Sequence, residues 1–341
     1  RMFVLALWVV LLPARARAQD SGADGSASTE PAATPEVTYP RPERVTVGVH
    51  LNDIQTVDLK THSYQIDAYF WFRWRNPAIN PASTERFEFI NPSELWGHIR
   101  TANYEEPEHL PNGEMYQVIR VQGRFSKKLP LFNYPFDRQT LTITFEDTVA
   151  EASEFVYVPG EVTVNPGLSL PGFRVGTPRL VVRDEAYPTR FGDLRLTAPS
   201  RFSRGTIEIP LTRPPVAYAF LLFFPVLCVF LCSALMFLLD PSYVESRVGV
   251  GITALLTIVA LQMTFNQDLP DVGYLMLMDK IYICSYVFVI AGLGLVVHTA
   301  RMVKRNEEEA AIALHRRALV VLSALYFIIS GALVASAAIE G

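Results

Sequence analysis

The chain has 341 residues, half of them hydrophobic, with 30 Lys and Arg against 34 Asp and Glu for a formal charge of −4. So small an imbalance argues against a nucleic-acid surface or a polybasic membrane tail. Cys228, Cys232 and Cys284 all lie in apolar runs, so neither a disulfide framework, nor a zinc cluster, nor any cofactor is expected.

In chain order, residues 1–18 have a cation, a short apolar core and Ala16-Arg17-Ala18, the pattern of a signal peptide. Residues 19–40, rich in Ala, Ser, Pro and Asp, read as a disordered leader. From 41 to 212 the signals are those of strands. VTVGVHL, YQIDAYFWFRW, MYQVIRVQGRF, QTLTITFE, FRVGTPRLVVRD and GTIEIPL alternate and are rich in β-branched and aromatic residues. Turn chemistry separates them at Asn76-Pro77, Asn91-Pro92, Pro111-Asn112-Gly113, Pro159-Gly160, Asn165-Pro166-Gly167 and Pro171-Gly172. Many short strands at this spacing predict an immunoglobulin-like β-sandwich, exported and free of cysteine.

The segment 213–341 is dominated by four apolar runs, about 216–239, 248–265, 274–297 and 318–338, each near the length that crosses a hydrocarbon core. An exported sandwich fixes its own side as outside, and four crossings return the C-terminus there. Arg301, Lys304, Arg305, Arg316 and Arg317 then mark the cytoplasmic loop, diluted by Glu307 to Glu309. That loop is too short to contain a cytoplasmic domain.

The second run carries its own pattern. At 100° per residue, Glu245, Gly249, Thr253, Leu256, Ala260, Met263 and Gln267 fall within an arc of about 80°. A lipid-facing helix has no reason to align an acid, a small residue and a threonine, whereas a helix lining a water-filled pore does. A buried helix packed by small residues is the competing reading.

The order of parts resembles the pentameric ligand-gated ion channels, and among them the bacterial members without the loop disulfide. Tyr134-Pro135-Phe136-Asp137 with Gln139 matches the family's aromatic-Pro-Phe-Asp-x-Gln signature, with Lys127 and Leu141 where animal relatives have cysteines. Leu51 to Trp74 resembles the first two strands. Arg213 matches the arginine before the first membrane helix, Leu269-Pro270 the end of the pore helix, and Asp279 an acid early in the third. WGHIRTAN, near Trp96, departs from the usual Trp-x-Pro-Asp/Glu spelling.

The resemblance implies a homopentamer with five copies of the second helix around one axis. Glu245 becomes an acidic inner ring that favours monovalent cations, and Arg247 faces away. Gly249 leaves a wide inner mouth, Thr253 a polar ring, and Leu256, Ala260 and Met263 an apolar gate. Asp58, Asp137 and Arg213 fall at the sandwich–membrane junction as an ionic cluster, completed by Pro270, Asp271 and Tyr274. The agonist site lies between adjacent sandwiches. Its wall residues are Tyr69, Arg100, Asn103, Arg120, Glu146, Asp147, Tyr187, Phe191 and Phe202. Glu146-Asp147-Thr148-Val149 lacks the aromatic of an amine cage, while Arg100 and Arg120 resemble arginines of an acid-gated relative. A small-molecule agonist, including an anionic one, and a proton stimulus at His50, His62, His98 or His109 both stay open. A bacterial inner membrane with the N-terminal domain periplasmic is expected, with membrane lipids as partners and no nucleic acid. Two other classes remain: a non-conducting periplasmic sensor, and a membrane enzyme, for which no nucleophile–base pair or metal ligand set is apparent.

Overall fold

The computed structural model describes residues 41–94, 97–189, 192 and 200–340. The signal-peptide and leader segments, Trp96 and Phe191 lie outside the described residues.

Alternation decides the first half. In β2 (Ser63–Trp74), Tyr64, Ile66, Ala68, Phe70, Phe72 and Trp74 are buried, and Asp67, Tyr69 and Trp71 take the other face. The same period in β1 (Glu43–Asp58), β6 (Met115–Ser126), β7 (Arg138–Asp147) and β11 (Arg201–Thr212) makes two sheets with one apolar face each. The first sheet runs β4 (Ile99–Ala102), β6, β2, β1, β8 (Phe155–Val164), with β5 (Glu108–His109) on β6. The second runs β10 (Arg179–Ala186), β11, β7, β3 (Phe87–Phe89), with β9 (Arg174–Val175) on β11. Their inner faces meet in one core, where Phe70 makes edge-on contacts with Phe87, Phe89 and Phe145. This is a β-sandwich.

Two expectations need correction. Pro159-Gly160 is not a turn; both residues lie inside β8, which pairs parallel with β1 at the edge of its sheet. An edge strand tolerates a missing N–H, and the register shifts beside Pro159, between Val47 and Val49. Gly160 is there for space. A Cβ on it would stand 2.7 Å from the Trp71 indole, and one on Gly48 would stand 2.0 Å from it, so the indole lies across both glycines. The run FRVGTPRLVVRD is likewise two strands, β9 and β10, broken at Gly176-Thr177-Pro178.

Four helices follow: α1 (Pro215–Leu238), α2 (Val244–Gln267), α3 (Leu277–Val303) and α4 (Glu308–Glu340). All four are long and apolar enough to cross a membrane, and the chain is a multi-pass membrane protein. The basic stretch expected as a loop is mostly helix, because α3 runs on through Arg301 and α4 already holds Arg316 and Arg317; only residues 304–307 connect them. Charged residues there are good helix formers that a hydropathy window passes over. The bundle has its own core, in which Phe230 stacks on Tyr326 and meets Phe288.

Candidate functional site

The stripe on α2 is the first element of the site. Arg247, Gly251, Ala254 and Ile258 are its buried residues and pack toward the rest of the bundle. All seven stripe residues, from Glu245 to Gln267, lie on the opposite side, roughly half a turn away, and are exposed. Leu256 and Met263 are each 64% exposed, so something outside the protomer covers or wets that face, as it does the apolar outer faces of α1 and α4. The glycines repeat the asymmetry. A Cβ on Gly251 would press to 2.5 Å from Leu293 of α3, whereas one on Gly249 would meet nothing within 4 Å. Packing by small residues therefore explains one side of α2 and leaves the stripe unexplained. Arg247 turns inward, its Nε donating to the Met236 carbonyl at 2.8 Å.

The second element is the junction. The last strand, β11, delivers Arg213 to the top of α1, and the loop before β7 delivers Asp137. Their side chains, each 4% exposed, meet at 3.2 Å. Three rings surround the guanidinium: Phe173 at 4.2 Å, Tyr134 at 4.9 Å and Tyr218 at 5.6 Å. Gln139 holds the carboxylate from behind, donating to Asp137 and also to the Pro130 carbonyl. The same loop grips the α2–α3 connection. Tyr274 stacks on Phe132 at 3.7 Å, its hydroxyl accepts from the Leu131 N–H at 2.9 Å, and Leu277 N–H donates to the Phe132 carbonyl. Leu131, Leu269 and Met276 form a small core between the two halves, with Leu59 and Phe265 against it; Pro270 is half-buried and Asp271 exposed beside it.

Asp58 departs from expectation. It is exposed, and its Oδ1 accepts from the backbone N–H groups of Lys60 and Thr61, so it closes its own turn rather than joining the Arg213 pair. The turn reaches the membrane half through Lys60, whose Nζ donates to the Gln267 carbonyl at the end of α2. That carbonyl needs a partner because it sits in the last turn of a helix, a requirement not visible around Lys60 itself.

Five of the nine expected agonist residues, Tyr69, Arg120, Glu146, Tyr187 and Phe202, fall into two polar clusters on opposite outer faces of the sandwich. On the first sheet, Arg120 lies over Tyr69 and closes on Asp67 with two hydrogen bonds, of 3.0 and 2.7 Å; Asn52 adds a third to that carboxylate. The hydrogen bonds from Arg120 hold the Asp67 carboxyl below its ordinary range. On the second sheet Glu146 is buried and accepts from Arg204 and from the Tyr187 hydroxyl, which stands edge-on to Phe202. Burial, and next Glu146, push the Tyr187 phenol up. Asp147 is held apart from this group by Arg86, in two bonds of 2.8 and 3.1 Å.

Both candidate acid-binding arginines are thus already occupied. Arg120 is paired with Asp67, and Arg100 donates to the Phe87 carbonyl at 2.6 Å while lying on the Phe87 and Phe89 rings. Asn103 is exposed beyond β4. Asp67 and Arg204 were not anticipated. Arg204 stands directly opposite Glu146 in the strand pairing, whereas Asp67 stands opposite Gln122 and reaches Arg120 on the diagonal, two residues from Tyr69.

The histidines differ sharply. His98 is packed between Phe89 and Phe125, and burial pushes its pKa down, away from a sensing role. His50 bonds Thr163 at 2.8 Å, and His109 is exposed on β5. His62 sits in the β1–β2 turn at φ 53°, and its Nδ1 accepts from the Leu129 N–H at 3.3 Å. It lines a cavity of about 580 Å³ with Lys128, Phe132, Asp271 and Tyr274, at the junction itself.

No family model matches the chain. Over 272 residues it is 24% identical to the gamma-aminobutyric acid receptor subunit beta-4 of Gallus gallus, an alignment that covers 73% of this chain and 54% of that subunit. The chain spans about half the length of this curated relative. That relative is a receptor subunit and not an enzyme. Together with the sandwich, the four helices and the Tyr134-Pro135-Phe136-Asp137 signature, this distant likeness supports the pentameric receptor superfamily.

Proposed function

We propose that the chain is the subunit of a homopentameric, ligand-gated, cation-selective channel of a bacterial inner membrane, its sandwich periplasmic. The observation that carries this reading is α2 itself: one buried face, and opposite it an exposed stripe running from Glu245 through Thr253 and Leu256 to Gln267. Five such stripes around an axis give an acidic inner ring, a polar ring and a hydrophobic constriction that dewets when closed. The two polar clusters support an agonist site between neighbours, since they lie on opposite outer faces of one protomer. In a ring, the Glu146–Arg204–Tyr187 face of one subunit meets the Asp67–Arg120–Tyr69 face of the next. In one cluster Arg120 pairs with Asp67, and in the other Arg204 pairs with both Glu146 and Glu185. A ligand with both an amine and a carboxylate exchanges partners with them at the least electrostatic cost. The relative's name, a receptor for gamma-aminobutyric acid, is in keeping with that chemistry.

A proton stimulus is the second reading, favoured by His62. Its imidazole accepts from the Leu129 N–H in the turn that Lys60 ties to the end of α2, and it lines the junction cavity.

The test is recording from purified protein in a planar bilayer under a potassium chloride gradient, with ligand application and pH steps. The reversal potential should lie on the potassium side, and Glu245→Gln should cut the cation-over-anion preference about tenfold by removing the ring's field. An unchanged preference in Glu245→Gln removes that ring from the account. Electrical silence under every stimulus, with the protein assembled, favours a non-conducting sensor.

A further inference from the structure

Cys228 and Cys232 are left over from everything above. Both are free thiols, both are exposed, and they stand one helical turn apart on α1. They also share a surroundings: a groove of about 480 Å³ between α1 and α2, whose other wall carries Gly249, Thr253, Ala254 and Thr257. Residues four apart on a helix have Cβ atoms about 5–6 Å apart, on one face. A disulfide needs Cβ atoms about 3.8 Å apart, so the pair does not close on itself without bending the helix. A cation bonded to two sulfurs at about 2.3 Å each spans up to roughly 4.6 Å between them, which this spacing meets.

We propose that Cys228 and Cys232 form a two-thiol site for a soft, thiophilic divalent cation, lodged between α1 and α2. The chemistry selects the class of ion. Two thiols and one soft divalent cation give a neutral S–metal–S unit and release two protons, with no change of oxidation state. A neutral product suits the apolar wall of the groove, whereas a hard cation keeps its charge and its demand for oxygen ligands. Occupancy bridges two turns of α1 directly beside Gly249 and Thr253, so binding stiffens α1 at the level of the stripe. The inference needs only the protomer's geometry and stands apart from the channel reading.

The probe is mercuric ion added to the detergent-solubilised full chain, with bound metal read by intact mass spectrometry during competition by a monothiol. One ion per chain should survive the competition. Cys228→Ser and Cys232→Ser should each weaken retention about tenfold or more, because the second thiol acts at high effective concentration. Cys284→Ser, on α3, should leave retention unchanged. Retention equal to wild type in both Cys228→Ser and Cys232→Ser, or loss confined to Cys284→Ser, overturns the proposal. So does the absence of any retained ion in wild-type protein that elutes as a folded assembly. Serine is nearly isosteric with cysteine, Cys228 and Cys232 are exposed and Cys284 is only half-buried, so all three variants are expected to fold.

Discussion

Replacing Arg213 with Glu should abolish the response to every stimulus while leaving the protein assembled in the membrane. The pair that Arg213 makes with Asp137 is almost fully buried, and breaking such a pair costs about 3–5 kcal/mol, since the remaining charge keeps its desolvation penalty. Charge reversal adds a second carboxylate inside a cage of Phe173, Tyr134 and Tyr218, whose ring faces favour a cation. The damage is local. The sandwich core and the bundle core are separate clusters, and the pair lies at the junction between them. Arg213 lies two residues before α1 and Asp137 belongs to the loop whose Phe132 grips Tyr274, so this pair ties the sandwich to both α1 and the α2–α3 connection. Arg213→Lys keeps the charge and loses the planar group, and it should retain a response at higher stimulus. Surface labelling and whole-cell current, measured together, check both variants. Normal currents from Arg213→Glu would sink the coupling role.

Leu256→Ser should do the reverse and raise the resting current. Leu256 is on the exposed face of α2 at mid-helix, so the change costs the protomer little packing. In a ring of five it replaces an apolar constriction with hydroxyls, and the barrier from dewetting falls. The expected result is leak without stimulus and a gain in sensitivity of about tenfold, equivalent to ~1.4 kcal/mol of bias toward the conducting state. A closed-state current and sensitivity equal to the parent's contradict the gate assignment.

How much of this was legible in the sequence depended on whether a side chain's role is local. The alternation in Tyr64 to Trp74 and in Met115 to Phe125 follows from the pleat alone, so those strands could be read directly. The α2 stripe could be read too, because a helix's geometry fixes which residues share a face, and the buried set Arg247, Gly251, Ala254 and Ile258 falls opposite it. Strand β8 could not, since Pro159 and Gly160 carry turn chemistry and only its place at the sheet edge, under Trp71, accounts for them. Nor could the pairs Glu146–Arg204 and Asp67–Arg120, which join residues 58 and 53 positions apart through strand register. The direction of Arg100 was not legible for a related reason. On a four-residue strand nothing in the sequence says which way a guanidinium points, and this one lies over Phe87 and Phe89. Asp58 serves its own turn while Lys60 makes the contact with α2, a division of labour that the sequence does not display.

Cysteine accessibility along α2 tests the central claim most directly. In a background with Cys228, Cys232 and Cys284 replaced by Ser, single cysteines at Thr253, Ala260 and Met263 sample the stripe, and cysteines at Ala254 and Ile258 sample the buried face. A charged, membrane-impermeant thiol reagent applied during recording should cut the current at the three stripe positions and leave the two buried positions unaffected. Current loss at Ala254 or Ile258 with the stripe positions inert would show that α2 presents the wrong face to the ions, and the account would fail.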